Sequence, residues 1–286
     1  MTSTKKALAL AAAVTASMLA CATPAMAVQP AAQPAKAVQS QPLEWLSLDA
    51  LTGGKLVTKV KDLLGKGYVP TTLNVTNAAN PQYTSSWIKD TTRKVNVLQG
   101  LSVTDLPARI KEQVKAGYQP TLITGTGTGQ NAVFGAIFEK TSQLVKSQLT
   151  MTKETLVKVN AELSAAGYSL ASLDVYGTVE KPLYAAVWVA GGATGALQVT
   201  LGQTVEERGK ELLTKAKQGL QPVLMAVEPG QLYTTVWGKV NGDQKELLGL
   251  SKLAHSIKAA KLKALGYQPE VLSSEDGVIA SIWRKG

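Results

Sequence analysis

The sequence predicts an α+β fold, a tandem array of five β-α-β-β repeat units. The first observation is a set of regularly spaced glycines, Gly67, Gly117, Gly167, Gly219 and Gly266. The second is a hydroxyl residue fifteen positions before each glycine, and the third is a pair of aromatic residues four positions apart after four of the five glycines. A period of about fifty residues is typical of stacked arrays, in which no unit buries its apolar face alone.

Residues 1–27 are predicted to be a secretory signal peptide. Two lysines precede an apolar stretch too short to span a bilayer, and Ala25 and Ala27 stand at the small-residue positions that a signal peptidase reads. Cleavage after Ala27 leaves a chain without cysteine, so the exported protein cannot depend on disulfides. The alternative is a lipoprotein cut before Cys21. We expect a periplasmic or secreted protein without a further transmembrane segment.

Residues 28–42 are rich in Ala, Gln and Pro and are predicted to be a disordered linker. Removal of the signal peptide, which holds two lysines and no acid, lowers the formal charge from +10 to +8. Only four cations are arginines, whereas recognition of phosphates and bases favours arginine, so no nucleic-acid partner is expected. The lysines either keep the helices soluble or attract an anionic polymer at low salt.

Each predicted unit begins with a short apolar strand, and an amphipathic helix follows it. The hydroxyl residues are the predicted N-caps of the helices: Thr52, Ser102, Thr152, Thr204 and Ser251. A side-chain oxygen at this position accepts an amide hydrogen that the first helical turn leaves unpaired. Apolar residues before and four after the cap predict a hydrophobic staple in the first three units, and Glu207 completes a capping box in the fourth.

Two strands follow each glycine, and the second strand contains the aromatic pair. The pairs are Tyr83 and Trp87, Phe134 and Phe138, Tyr184 and Trp188, and Tyr233 and Trp237, with Ile279 and Trp283 in the last unit. Residues four apart on a strand share a face, and their recurrence favours core packing over ligand stacking. The predicted units span residues 43–93, 94–142, 143–195, 196–244 and 245–286. Their order allows an open stack or a closed ring, which would remove both free sheet edges.

The third unit contains a glycine–tyrosine element at Gly167 and Tyr168, a tyrosine–glycine turn at Tyr176 and Gly177, and an aromatic, alanine-rich strand at 184–188. These features resemble the bacterial tandem repeat domain family. The resemblance covers residues 43–286 unevenly, because the other units lack the tyrosine–glycine turn. Similar repeats accompany the serine hydrolase domain of polyglycine hydrolases, so the resemblance implies a place beside catalysis and supplies no catalytic residue.

No catalytic, cofactor-binding or metal-binding residue is predicted. The Ser-x-x-Lys spacing at Ser3 to Lys6 falls within the expected signal peptide. His255 is the only histidine and stands at the staple position of the fifth helix, where we expect a half-buried packing residue. The glycine-rich stretch 125–129 lies between two predicted strands, so it predicts a hairpin loop rather than a phosphate-binding loop.

We expect an exported, non-enzymatic repeat module that binds a cell-envelope polymer or a protein partner through the loops between its strands. The candidate contacts are polar residues in and around the predicted hairpins: Asn77, Asn80, Gln82, Thr126, Thr128, Gln130, Asn131 and Lys181. The alternatives are an accessory, inhibitory or toxin-like secreted protein, a structural envelope protein, and a hydrolase or lyase that uses scattered carboxylates. The sequence does not specify the oligomeric state.

Overall fold

The computed structural model describes residues 44–192 and 197–285 of the chain. The predicted signal peptide, the predicted linker and the alternative lipoprotein site at Cys21 lie outside the described residues. The described residues form five repeats, each with one α-helix and one three-stranded sheet, so the predicted α+β array of β-α-β-β units is confirmed.

The helices and strands follow in the same order in every repeat. Repeat 1 contains β1 (Trp45–Thr52), α1 (Gly53–Gly65), β2 (Tyr68–Thr76) and β3 (Gln82–Lys89). Repeat 2 contains β4 (Val95–Leu101), α2 (Asp105–Lys115), β5 (Tyr118–Thr126) and β6 (Val133–Lys140). Repeat 3 contains β7 (Val145–Met151), α3 (Lys153–Ala165), β8 (Tyr168–Gly177) and β9 (Pro182–Ala190). Repeat 4 contains β10 (Gln198–Gln203), α4 (Val205–Lys217), β11 (Gln221–Glu228) and β12 (Leu232–Gly238). Repeat 5 contains β13 (Gln244–Leu250), α5 (Lys252–Ala264), β14 (Tyr267–Glu275) and β15 (Val278–Lys285).

The last strand of each repeat lies in the middle of its sheet, as in the order β1-β3-β2, and pairs antiparallel with both neighbours. The first strand contains an irregularity just before the helix, and the residue there has a positive φ in every repeat: Ala50, Gly100, Thr150, Gly202 and Gly249. This local change of direction leads the chain from the sheet into the helix.

The helix ends agree with the sequence pattern at most positions. The side chains of Thr152, Thr204 and Ser251 each accept a hydrogen bond from the amide three residues later, and Thr204 and Glu207 form the predicted capping box. The hydroxyl of Ser102 accepts from the amide of Asp105, where α2 begins. Thr52 makes no side-chain cap bond, contrary to the pattern, and nothing in the structure explains the difference. The five helix-ending glycines have φ values between 70° and 83°.

The aromatic pairs lie in the core, as their recurrence predicts. All nine aromatic members are buried, with at most 2% of the side chain exposed. Each core continues into the following repeat, because Ile137 packs in the cluster of Trp87, Val187 in that of Phe138, and Val236 in that of Trp188. Neighbouring repeats therefore share apolar burial, which is the source of stability in a repeat array.

The first strands after the helices form the inner surface of the array. They contact one another in the order β2, β5, β8, β11 and β14, and β14 also contacts β2. A side chain of one strand accepts an amide hydrogen of the preceding strand, as Thr124 does from Val75 at 3.2 Å. Asn74 makes the corresponding bond between repeats 5 and 1, accepting from the Ser274 amide at 3.1 Å. These contacts join repeat 5 to repeat 1 as well as each repeat to the next.

The substitution Asn74→Ala tests ring closure in solution. In a closed ring it removes the Ser274 partner and should lower the free energy of unfolding by about 1–3 kcal/mol, because a half-buried amide loses its acceptor. Thr124→Ala is the matched control, since Thr124 makes the same bond between repeats 1 and 2. Urea unfolding should give similar losses for both variants. An open stack predicts a loss for Thr124→Ala and none for Asn74→Ala.

Candidate functional site

The loops that join the last two strands of each repeat lie side by side. The Gly177 amide donates to the Gly127 carbonyl oxygen at 3.0 Å, and the Gly230 amide donates to Asp276 Oδ2 at 2.7 Å. We call these loops the hairpin face, which comprises residues 77–81, 127–132, 178–181, 229–231 and 276–277. The structure thus places loops from separate repeats on one surface.

Most of the sequence-predicted contact residues lie on the hairpin face. Six of them are exposed there: Asn77, Asn80, Thr128, Gln130, Asn131 and Lys181. Gln82 is half-buried at the start of β3. Thr126 is buried, with its hydroxyl 3.3 Å from Glu275 Oε2, so it is not a surface contact.

The charges on the hairpin face do not favour an anionic partner. The charged residues of its loops are Glu180, Lys181 and Asp276, which together carry a net negative charge. The most cationic helix is α5, which contains four exposed lysines and no acid: Lys252, Lys258, Lys261 and Lys263. Each of the other four helices contains at least one acid, for example Asp62, Asp105, Glu154 and Glu206. Among the described helices, α5 therefore has the most positive surface.

A groove of about 390 Å³ lies beside α5, between repeat 5 and repeat 1. We call it the seam groove, and its walls include Trp45, Asp49 and Ser86 of repeat 1 and His255, Lys263 and Trp283 of repeat 5. The rings of Trp45 and Trp283 meet edge to face, with centroids 5.6 Å apart. The Lys263 ammonium lies over the Trp45 ring, 4.4 Å from its centroid, and donates to the Trp45 carbonyl oxygen at 3.2 Å.

His255 lies at the wall of the groove and is half-buried, as the sequence predicts. Its Nε2 atom is 2.9 Å from Ser281 Oγ, which also accepts the Trp283 indole N–H at 2.7 Å. Burial lowers the pKa of His255, and the charge of Asp49 opposes that shift. Repeat 1 contains the same bond, in which the Trp87 indole donates to Ser85 Oγ. The bond between Trp283 and Ser281 therefore belongs to the packing of the repeat.

Three acids with raised pKa values lie on the inner strands: Asp174, Glu270 and Glu275. Burial raises the pKa of Asp174 to about 6, and hydrogen bonds from Gly125, Thr124 and Val175 oppose the shift. Burial also raises the pKa of Glu275 to about 7, with further contributions from the charges of Asp174 and Asp276. The carboxylate of Asp174 accepts the Gly125 amide hydrogen at 2.8 Å, which links β8 to β5. This bond gives Asp174 a structural role between repeats.

Asp174 also borders a second cavity of about 250 Å³, which is lined by strands of all five repeats, including Leu73, Ile123, Leu173, Met225 and Leu272. These five residues occupy the fixed apolar position of the first strand after the helix. The cavity is therefore a product of the array's packing around its inner strands.

Within residues 44–192 and 197–285, no group of three His, Cys, Asp or Glu side chains is arranged to hold a metal ion. The helices in the same ranges are all too short or too polar to cross a membrane.

The repeat units also match a known family model. A family model described as a polyglycine hydrolase-like structural repeat matches three times in tandem, at residues 45–90, 95–141 and 145–190. Each match runs from the first strand of a repeat to the end of its last strand, and together they cover repeats 1 to 3. The family resemblance inferred from the sequence is confirmed. Repeats 4 and 5 continue the same order of helices and strands.

Proposed function

Because its first three units are copies of the polyglycine hydrolase-like structural repeat, we propose that this protein is an exported, non-enzymatic module that binds an anionic polymer of the cell envelope. The family description names a structural repeat and no activity of the repeat itself. The polymer is contacted by α5 and the adjoining seam groove, and the hairpin face is secondary.

The four exposed lysines of α5 carry this proposal. With no acid in the helix, their charges add along a surface about 20 Å long, since a helix rises 1.5 Å per residue and α5 has 13 residues. Such a surface raises the local concentration of an anionic chain. The attraction is screened over about 8 Å at physiological ionic strength, so binding should weaken as salt rises.

A protein partner is the second candidate, and two apolar side chains of α5 favour it. Leu253 and Ile257 are 73% and 53% exposed and lie four residues apart, on one face of the helix. A partner that packs on these residues would bind with little dependence on salt, because apolar contact is not screened. Salt dependence therefore separates the two candidates.

The test is co-sedimentation of the chain from Val28 onward with purified cell-wall sacculi at low and physiological salt. The triple variant Lys252→Gln, Lys258→Gln and Lys261→Gln should bind about tenfold more weakly than the wild type at low salt, the lower end of the range for electrostatic attraction. The matched control removes the same charge from α1 through Lys55→Gln, Lys59→Gln and Lys61→Gln, which are equally exposed. The control should retain most of its binding.

Three outcomes would contradict the proposal. Equal losses in the two triple variants would show that net charge alone causes binding. Binding that is unchanged between low and physiological salt would favour the protein partner or another apolar contact. No binding by the wild-type chain at low salt would exclude the sacculus as the partner.

A further inference from the structure

At one strand position, the interface between repeats 5 and 1 is polar and the corresponding interfaces are apolar. The residue directly before the second member of the aromatic pair packs against the preceding repeat, and it is buried and apolar in four repeats: Ile137, Val187, Val236 and Ile282. Repeat 1 has Ser86 at this position. Asp49 likewise replaces the leucines found two residues before Met151, Gln203 and Leu250 in repeats 3 to 5.

The helix that faces these residues, α5, also has smaller or more polar side chains than the corresponding helices. His255 occupies the helix position at which repeats 1 to 3 have a fully buried leucine, and Ala259 follows it where repeat 1 has Val60. Smaller and more polar side chains on both walls leave the space of the seam groove. Each of these exchanges gives up apolar burial, and the groove occupies the space that larger apolar side chains would fill.

The walls combine an aromatic surface with hydroxyl groups and charges. Trp45 is half-buried and takes the place that Val95 and Val145 have in repeats 2 and 3. Hydroxyls line the groove from both repeats, at Ser47, Thr84, Ser86, Ser256 and Ser274. A pyranose ring has a C–H face that packs on an indole and a rim of hydroxyls that needs hydrogen-bond partners, and such a lining provides both.

The lysines that line the groove favour a negatively charged ligand. Lys263 lies over one face of the Trp45 ring, so an acidic ligand at this indole would meet its ammonium. Lys252 lines the same groove, and the two lysines outnumber the single carboxylate of Asp49. The groove volume of about 390 Å³ lies near the lower end of the usual range for small-ligand sites, about 300–1,000 Å³, which suits one or two sugar rings.

We infer that the seam groove binds one acidic sugar unit, a uronate, of an anionic glycan. The source of the sugar, an envelope polymer, rests on the proposed function. The site itself rests on the polar residues at the interface between repeats 5 and 1. The sugar ring packs on Trp45, its hydroxyls bond to Ser86 and Asp49, and its carboxylate pairs with Lys263 or Lys252.

The experiment is calorimetric titration of the chain from Val28 onward with digalacturonate, and with its methyl ester as the uncharged probe. We expect saturable binding of one digalacturonate per chain and binding of the ester that is at least about tenfold weaker, because the ester lacks the carboxylates. Ser86→Ile installs the side chain that repeat 2 has at the same position and fills the groove. It should weaken digalacturonate binding at least about tenfold without lowering the unfolding midpoint.

Two further variants keep the test decisive. Trp45→Ala removes the packing surface at a half-buried position and should give the same loss if Ser86→Ile fails to fold. The double variant Lys258→Gln and Lys261→Gln should weaken sacculus co-sedimentation more than digalacturonate binding, because neither lysine lines the groove. Unchanged digalacturonate binding in Ser86→Ile or Trp45→Ala overturns the inference.

The remaining outcomes separate this inference from the proposed function. Sacculus binding by a wild-type chain that does not bind digalacturonate overturns the uronate site and leaves the polymer-binding module in place. Equal binding of digalacturonate and its ester overturns the acidic ligand. Loss of both sacculus and digalacturonate binding in the wild type overturns both proposals together.

Discussion

Substituting Glu246 by alanine should lower the free energy of unfolding by about 3 kcal/mol, because it leaves a buried guanidinium without its counter-ion. Arg208 is 1% exposed and forms a salt bridge with Glu246, which is 17% exposed. The Arg208 side chain also donates to Thr235 Oγ1 at 2.9 Å and lies 5.4 Å from the centroid of the Trp237 ring. The pair joins α4 of repeat 4 to β13 of repeat 5, so its loss weakens an interface between repeats.

The control for this prediction is the variant with both Glu246→Ala and Arg208→Leu. Leucine is the residue that repeats 1 to 3 have at the corresponding helix position, where Leu56, Leu106 and Leu156 are fully buried. Replacing a buried ion pair by an apolar side chain is often neutral or stabilising. Urea unfolding should therefore show the double variant within about 1 kcal/mol of the wild type or above it. A double variant less stable than Glu246→Ala alone would contradict the explanation.

Asp174→Asn should stabilise the protein at neutral pH by up to about 3 kcal/mol. The folded-state pKa of Asp174 is about 6, above the ordinary value of 3.8, so the folded protein binds the proton more tightly than the unfolded chain does. Stability from this group is greatest below pH 4 and decreases as the pH rises from about 4 to about 6. Asparagine removes the titration and keeps an oxygen that accepts the Gly125 amide hydrogen.

The measurement is the unfolding midpoint of both proteins between pH 4 and pH 8. The variant and the wild type should be similar at pH 4, and the variant should be the more stable at pH 7, where the wild-type carboxylate is ionised. Part of the pH dependence should remain, since Glu275 has a raised pKa of about 7 and stays in the variant. Parallel curves for the two proteins would show that Asp174 does not titrate as described.

Local signals predicted the repeat well because each of them acts within a few residues. A cap such as Thr204 needs only the amide of Glu207, and a helix-ending glycine such as Gly117 needs only its own φ. The aromatic pairs revealed the core because a strand places residues four apart on one face. The family resemblance drew on the same short elements, and it was confirmed for the first three repeats.

Contacts between repeats could not be predicted from such local sequence signals. Thr126 was expected at the surface, but it is the last residue of β5, and its register turns the side chain inward toward Glu275. The partner of Arg208 lies 38 residues away in the next repeat, a distance at which residue spacing carries no signal. The seam groove did leave a signal in the sequence. Ser86 stands directly before Trp87, whereas an apolar residue stands before the corresponding aromatic residue in the other four repeats.

The contact between Trp45 and Trp283 brings together two residues from opposite ends of the described chain. Every other interface between neighbouring repeats is also held by the peptide chain that runs through it, whereas this one depends on noncovalent contacts. A ligand in the seam groove touches both sides of that junction and binds better when the junction is intact. By linkage, such a ligand stabilises the contact between repeats 5 and 1, and the stabilisation increases with the ligand's concentration.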